Sequence, residues 1–205
     1  ADGLLALYEA TFDERWFTTA ETLMERVLGR FADPEGGFFD TADDHERLVT
    51  RPKDVQDNAV PSGNAMAVRV LLRLAAWIGD GRYRAAAERA IRSVVPFVTR
   101  YPTGFAHWLS AIDLALASVV EVAIVGSPED PATAALVEET RRGFRPNQVV
   151  SVSGDPGSTV VPLLRERVAI EGRPTAFVCR GFVCQVPVTD AVALRARLDL
   201  AGADG

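Results

Sequence analysis

Arg51-Pro52-Lys53-Asp54-Val55-Gln56-Asp57-Asn58-Ala59-Val60-Pro61-Ser62-Gly63-Asn64 stands between two helix-patterned blocks, and its reading decides how the chain is organised. Its prolines bar a continuous helix, because each lacks an amide donor and pushes the residue before it out of α geometry. Ser62 reads as the N-cap of a helix running on from about Ala65, with Gly63 and Asn64 in the first turn. Backbone amides left free at such a start, beside Arg51 and Lys53, suit an anion or a hydroxyl-rich ligand. The alternative is a polar connecting loop whose charges pair with each other.

Upstream, Leu4, Leu5, Leu7 and Tyr8 open a short helical block that stops near Thr11-Phe12-Asp13. Trp16, Ala20, Leu23, Val27 and Phe31 follow at steps of three and four, the stripe of an amphipathic helix laid on a partner. Ala32-Asp33-Pro34-Glu35-Gly36-Gly37 breaks it, and Phe38-Phe39 predict a short extended piece. Downstream, the helical pattern resumes through Val70, Leu71, Leu74 and Ile78 and breaks at Gly79-Asp80-Gly81. It returns through Ala87, Ile91, Val94 and Val98. The two blocks repeat at a fixed offset: Leu4-Leu5-Ala6-Leu7 falls on Leu71-Leu72-Arg73-Leu74, Asp13 on Asp80, Trp16 on Tyr83 and Val27 on Val94. Repeated helix–turn–helix units are the signature of solenoids and toroids, since one hairpin cannot bury its own face. A fifth helix with Phe105, Leu109, Ile112 and Leu116 on one side completes a helical region over residues 1–118.

From Val119 the pattern changes. Val122-Ala123-Ile124-Val125 reads as a buried strand ended by Gly126, and Asp130-Pro131 opens a helix. A second strand follows at Gln148–Val152, then a short helix over 160–167 and a third strand at Thr175–Cys179. The third strand turns back as a hairpin through Gln185, before a last helix near Ala191–Leu198. Strands alternating with helices predict a small α/β module with a mostly parallel sheet over residues 119–205.

Hydrophobic residues at 48% and charged residues at 24% fit an ordinary globular protein. A formal charge of -6 argues against a general nucleic-acid binder. No segment approaches the roughly 20 apolar residues that span a bilayer, so no membrane partner is expected. Gly126-Ser127-Pro128 has neither the GxGxxG pattern nor the Gly-Lys-Ser/Thr ending of a phosphate loop. Cys179 and Cys184, with no histidine nearby, cannot complete a tetrahedral zinc site, and neither metal nor cofactor is implied. They could face each other across a hairpin; with cytoplasm as the default compartment, reduced structural thiols are expected. His45, after Asp43 and Asp44, is a candidate proton carrier near neutral pH. Asp54 and Asp57 could supply the paired carboxylates of glycosyl chemistry.

Phe38-Phe39-Asp40-Thr41, Asp44-His45-Glu46, Arg51-Pro52-Lys53-Asp54, Pro61-Ser62-Gly63-Asn64 and Cys179-Arg180-Gly181-Phe182-Val183-Cys184-Gln185 together resemble one family. It is that of the thioredoxin-domain-containing proteins similar to spermatogenesis-associated protein 20, and the resemblance runs in order over nearly the whole chain. It implies an N-terminal thioredoxin-like domain followed by an (α/α)6 toroid like those of sugar epimerases and six-hairpin glycosidases. These residues would be the C-terminal part, a partial toroid of helical hairpins plus the α/β module. The thioredoxin-like cysteines would lie elsewhere, so the resemblance assigns no redox activity here.

In such a toroid the loops before inner helices line the cavity. The resemblance therefore implies Arg51, Lys53, Ser62 and Asn64 as substrate-binding residues, with His45, Asp54 and Asp57 as catalytic candidates. The implied ligand is a sugar or other hydroxyl-rich small molecule. The implied reaction is its epimerisation or isomerisation by acid–base transfer, needing the rest of the protein. A non-catalytic scaffold or interaction module, whose Arg, Lys and Asp side chains only hold helices and loops together, is the alternative. A severed ring would also leave Leu4, Leu7, Tyr8, Trp16 and Leu23 in an exposed apolar patch, so self-association through the N-terminal helices is expected.

Overall fold

Steps of three and four between apolar residues become five helices in the computed structural model, which describes residues 1–46 and 49–203. They are α1 (Asp2–Thr11), α2 (Glu14–Arg30), α3 (Gly63–Ile78), α4 (Gly81–Arg100) and α5 (Ala106–Leu116). Gly79, at φ +76°, ends α3 in the left-handed region, and the Asp80 side chain caps α4 by accepting from the Arg82 amide. Among the described residues no helix is long and apolar enough to cross a membrane.

The chain divides into two compact units. The first takes residues 1–5, 18–75 and 80–116; the second takes 6–17, 76–79 and everything from 117 onward. In the first unit α4 packs on α5, and Leu71, Leu74, Tyr83, Ala87, Val94 and Trp108 are among its buried residues. In α3 and α4 the buried face follows the helical periodicity, but in α5 the expected stripe fails: Leu109 and Leu116 are exposed, and Trp108, Ala111 and Leu114 are buried instead.

The second unit is built on a four-stranded sheet of β1 (Val120–Val125), β2 (Gln148–Ser153), β3 (Thr175–Arg180) and β4 (Val183–Cys184). Its order is β2-β1-β3-β4, with β1–β2 parallel and both β1–β3 and β3–β4 antiparallel. The helical-plus-α/β class therefore stands, but the mostly parallel sheet does not: the sheet is mixed. The reason lies between β2 and β3. A parallel return needs a crossover, usually a helix, and α6 (Pro131–Arg141) provides one from β1 to β2. The second helix expected over 160–167 is only a 3-10 turn at Pro162–Leu164, so β3 enters beside β1 in the opposite sense.

Side chains alternate across a strand. Val120, Val122, Ile124, Val150, Val152, Ala176 and Val178 form one core with Leu136 of α6 and with Leu194 and Leu198 of α7 (Ala191–Ala203). β2 is an edge strand, and its exposed ladder groups would invite pairing with another chain. The Val150 amide donates to Glu9 Oε1 at 3.2 Å, and Trp77 Nε1 donates to the Val150 carbonyl at 3.3 Å. Tyr8, expected in an exposed patch, is instead fully buried, its ring 5.3 Å from Phe17 and 5.7 Å from Trp77 between centroids. Leu7 and Leu23 remain exposed.

The cysteines face each other across a hairpin as expected, but joined where reduced thiols were expected. Cys179 and Cys184 are directly opposed on β3 and β4 and form a disulfide, with Cα atoms 3.9 Å apart. The two-residue turn Gly181-Phe182 sets that register, with φ of +54° and +66° as a type I′ turn requires.

Between α6 and α7, the buried Glu139 carboxylate accepts two bonds from Arg195, at 2.9 and 2.8 Å. These bonds hold its carboxyl below the usual range. A depressed carboxyl stabilises the fold above its ordinary value of about 4.5, and this contribution is lost as pH falls through the lower folded value. Glu139→Gln should cost about 1–3 kcal/mol at pH 7 and flatten the stability profile between pH 5 and 2. Urea titrations across that range check it; parallel profiles for variant and wild type would contradict it.

Candidate functional site

The connection between α2 and α3 has to satisfy its backbone with little secondary structure of its own. Its anchor is Asn64, buried in the first turn of α3. Asn64 Oδ1 accepts the Phe38 amide at 2.7 Å, while Nδ2 donates to the carbonyls of Phe38 at 2.9 Å and Asp54 at 3.1 Å. An amide side chain carries both donors and an acceptor, so Asn64 stands in for a neighbouring strand. Gly37 sits at φ +82°, and a Cβ there would come 2.9 Å from Asn64 Oδ1. Only glycine allows that approach.

Lys53 Nζ lies 2.5 Å from Asp33 Oδ2 and donates to the Gly36 carbonyl at 2.9 Å. The bond from Lys53 is the main reason that the Asp33 carboxyl is held below its usual range. Arg51 lays its guanidinium 4.1 Å from the Phe39 ring centroid and donates to the carbonyls of Thr41 at 2.6 Å and Arg30 at 3.2 Å. Both cations thus reach back to the segment just after α2.

The carboxylates are used in the same way. The Asp54 amide donates to the Asp40 carboxylate, Asp54 Oδ1 accepts the Gln56 amide, and the Asp54 carbonyl accepts from Ser62 Oγ. Asp57 Oδ1 accepts the Ser62 amide and Oδ2 the His107 amide, each at 2.8 Å. His107 is the second residue of α5, so Asp57 caps that helix from 50 residues upstream. Trp108 Nε1 donates to the Val55 carbonyl at 2.7 Å, tying the same stretch to α5 again. Ser62 Oγ accepts the Ala65 amide at 3.4 Å, as its place before α3 predicts.

Hydrogen bonds therefore link Arg51, Lys53, Asp54, Asp57, Ser62 and Asn64 to one connection and the helix starts beside it. His45 is exposed, held by its amide to the Ala42 carbonyl, while Asp43 and Asp44 pair with Arg30 at 3.3 and 3.7 Å. Sequence reasoning missed Asp33, Gly37 and Trp108; the Asp33-to-Gly37 turn signal was legible, its partners were not. A cavity of about 350 Å³ beside this network is lined by Asp33, Gly37, Phe38, Arg82 and Arg89, among others. No group of three or more His, Cys, Asp or Glu among the described residues could hold a metal.

Asn64→Ala should cost about 3 kcal/mol, because it strands two buried backbone groups. Asp57→Ala should cost about 1 kcal/mol, the usual value of a lost helix cap. Urea denaturation checks both, and losses under 0.5 kcal/mol in both variants would contradict the geometry.

No family model matches the chain. It is 31% identical over 199 residues to human spermatogenesis-associated protein 20, covering 94% of this chain and 25% of that protein. The mouse protein of the same name is 29% identical over the same shares. An uncharacterised Caenorhabditis elegans protein is 23% identical over 187 residues, 91% of this chain and 26% of that one. The chain spans about a quarter of the length of the relatives it matches. By this similarity the chain belongs among the homologues of spermatogenesis-associated protein 20.

Proposed function

We propose that the polar stretch is a structural staple, and that the helical region serves as a non-catalytic scaffold within the larger protein. The observation that supports this is the engagement of Asp57, whose two carboxylate oxygens each accept a backbone amide at a helix start. Those two bonds are what a helix-capping carboxylate makes. Lys53, satisfied by Asp33 and a carbonyl, is equally committed. Hydrogen-bonded polar networks of this kind rigidify and specify a fold, although Arg51 Nε is buried without an acceptor.

A second reading is an acid–base sugar epimerase or isomerase completed by the rest of the protein. It is favoured by one observation: the cavity that places Asp33 with Arg82 and Arg89 is polar enough to take hydroxyl groups. Lys53→Met separates the two readings. On the scaffold reading it costs about 1–3 kcal/mol in urea denaturation by leaving Asp33 unpaired. A calorimetric screen of sugars on the full-length protein then finds no binding that the variant abolishes. Saturable sugar binding lost in Lys53→Met at unchanged stability would overturn the staple and favour the enzyme.

A further inference from the structure

The bridged cysteines lie in a charged setting that a passive staple does not need. Cys179 is buried at 1% exposure, while Cys184 is exposed. One Arg167 nitrogen, Nη2, points at both sulfurs, 3.1 Å from Cys184 Sγ and 3.5 Å from Cys179 Sγ. The guanidinium stands 5.8 Å from the Phe177 ring centroid, and its Nε is buried with no hydrogen-bond acceptor. A disulfide sulfur is a weak, uncharged acceptor, so a half-buried cation gains little from it. Arg167 already donates through Nη1 to the Leu163 carbonyl and interacts electrostatically with Glu121, and a thiolate at either sulfur would add an anion at hydrogen-bond distance from Nη2.

The turn joining the cysteines is held independently. Glu121, on the central strand and paired in register with Cys179, is buried and accepts the amides of Gly181 at 3.1 Å and Phe182 at 2.8 Å. The hairpin therefore has a restraint other than the disulfide, and the bond can open without releasing the turn.

We propose that Cys179 and Cys184 form a redox-active dithiol–disulfide centre, entered at Cys184 by a dithiol reductant and poised by Arg167. A thiolate of the reductant attacks Cys184 Sγ, the sulfur open to solvent. The Sγ–Sγ bond breaks, a mixed disulfide forms at Cys184, and the electron pair leaves on Cys179 Sγ, where Arg167 stabilises it. The second thiol of the reductant, deprotonated, attacks the mixed disulfide and releases Cys184 as a thiolate. The reductant ends as a disulfide, and the pair has gained two electrons and, once protonated, two protons. The charged groups facing the pair are Arg167 and Glu121, and the second opposes the first. Arg180, on the same strand as Cys179, is turned to the Ala201 carbonyl.

The test is the pH dependence of iodoacetamide alkylation of Cys184 in a Cys179→Ser variant, read by mass spectrometry. The thiolate should appear well below the ordinary value of about 8.5. Arg167→Ala should slow alkylation at pH 7 about tenfold, a shift of about one unit in the thiol, and Arg167→Lys should restore most of the rate. In glutathione buffers the wild-type protein should pass between bridged and open forms with its circular dichroism unchanged. An ordinary titration of Cys184 that Arg167→Ala does not move would overturn the proposal. So would a bridge that opens only when the protein unfolds.

Discussion

Two side chains do for the first unit what a strand ladder does elsewhere. Asn64 supplies both partners of the Phe38 backbone, and Asp57 takes the amides of Ser62 and His107. The connection they hold runs from the end of α2 to the start of α3, and among its described residues it has no helix and only the isolated bridge between Ala32 and Phe38. Long connections of this kind are uncommon in compact proteins unless side chains satisfy them. The charges of Arg51, Lys53 and Asp33 extend the same arrangement, each spent on a carbonyl, an aromatic face or each other. On the proposed reading, residue types that resemble a ligand site serve to fix a loop to helices.

The second unit meets a comparable constraint at its sheet. β1 is buried along its whole length, which leaves Glu121 inside. Desolvation pushes its carboxyl up, and the two turn amides oppose that by favouring the charged form. Its position opposite Cys179 links that balance to the hairpin. At the other edge, Glu9 and Trp77 occupy the Val150 backbone, closing an edge that would otherwise be free to pair.

Much of this architecture is legible in the sequence, and most of the failures share a cause. Local signals read correctly for the stripes of α3 and α4, Ser62 before α3, and Gly181 at a hairpin, whereas the α5 stripe did not: Leu109 and Leu116 are exposed and Trp108, Ala111 and Leu114 are buried. Non-local signals did not read correctly. Nothing near Asp57 says that its partner is an amide 50 residues on, and nothing near Tyr8 says that it is buried with Trp77. Strand–helix alternation suggested a parallel sheet because Val160 to Arg167 carries helical spacing, yet Pro162 begins only a single 3-10 turn. For the candidate site, charge and spacing singled out Arg51, Lys53, Asp54, Asp57, Ser62 and Asn64, together with His45, but not the groups they bond. What they act on depends on their partners, and only the folded geometry names those.

The staple is tested most directly by amide hydrogen exchange at Phe38, Ser62 and His107. Each of these amides donates to a side-chain oxygen of Asn64 or Asp57. If those side chains hold the connection, the three amides exchange only with opening of the unit, and their protection falls selectively in Asn64→Ala and Asp57→Ala. Exchange at the rate of an open loop in the wild-type protein would contradict the account.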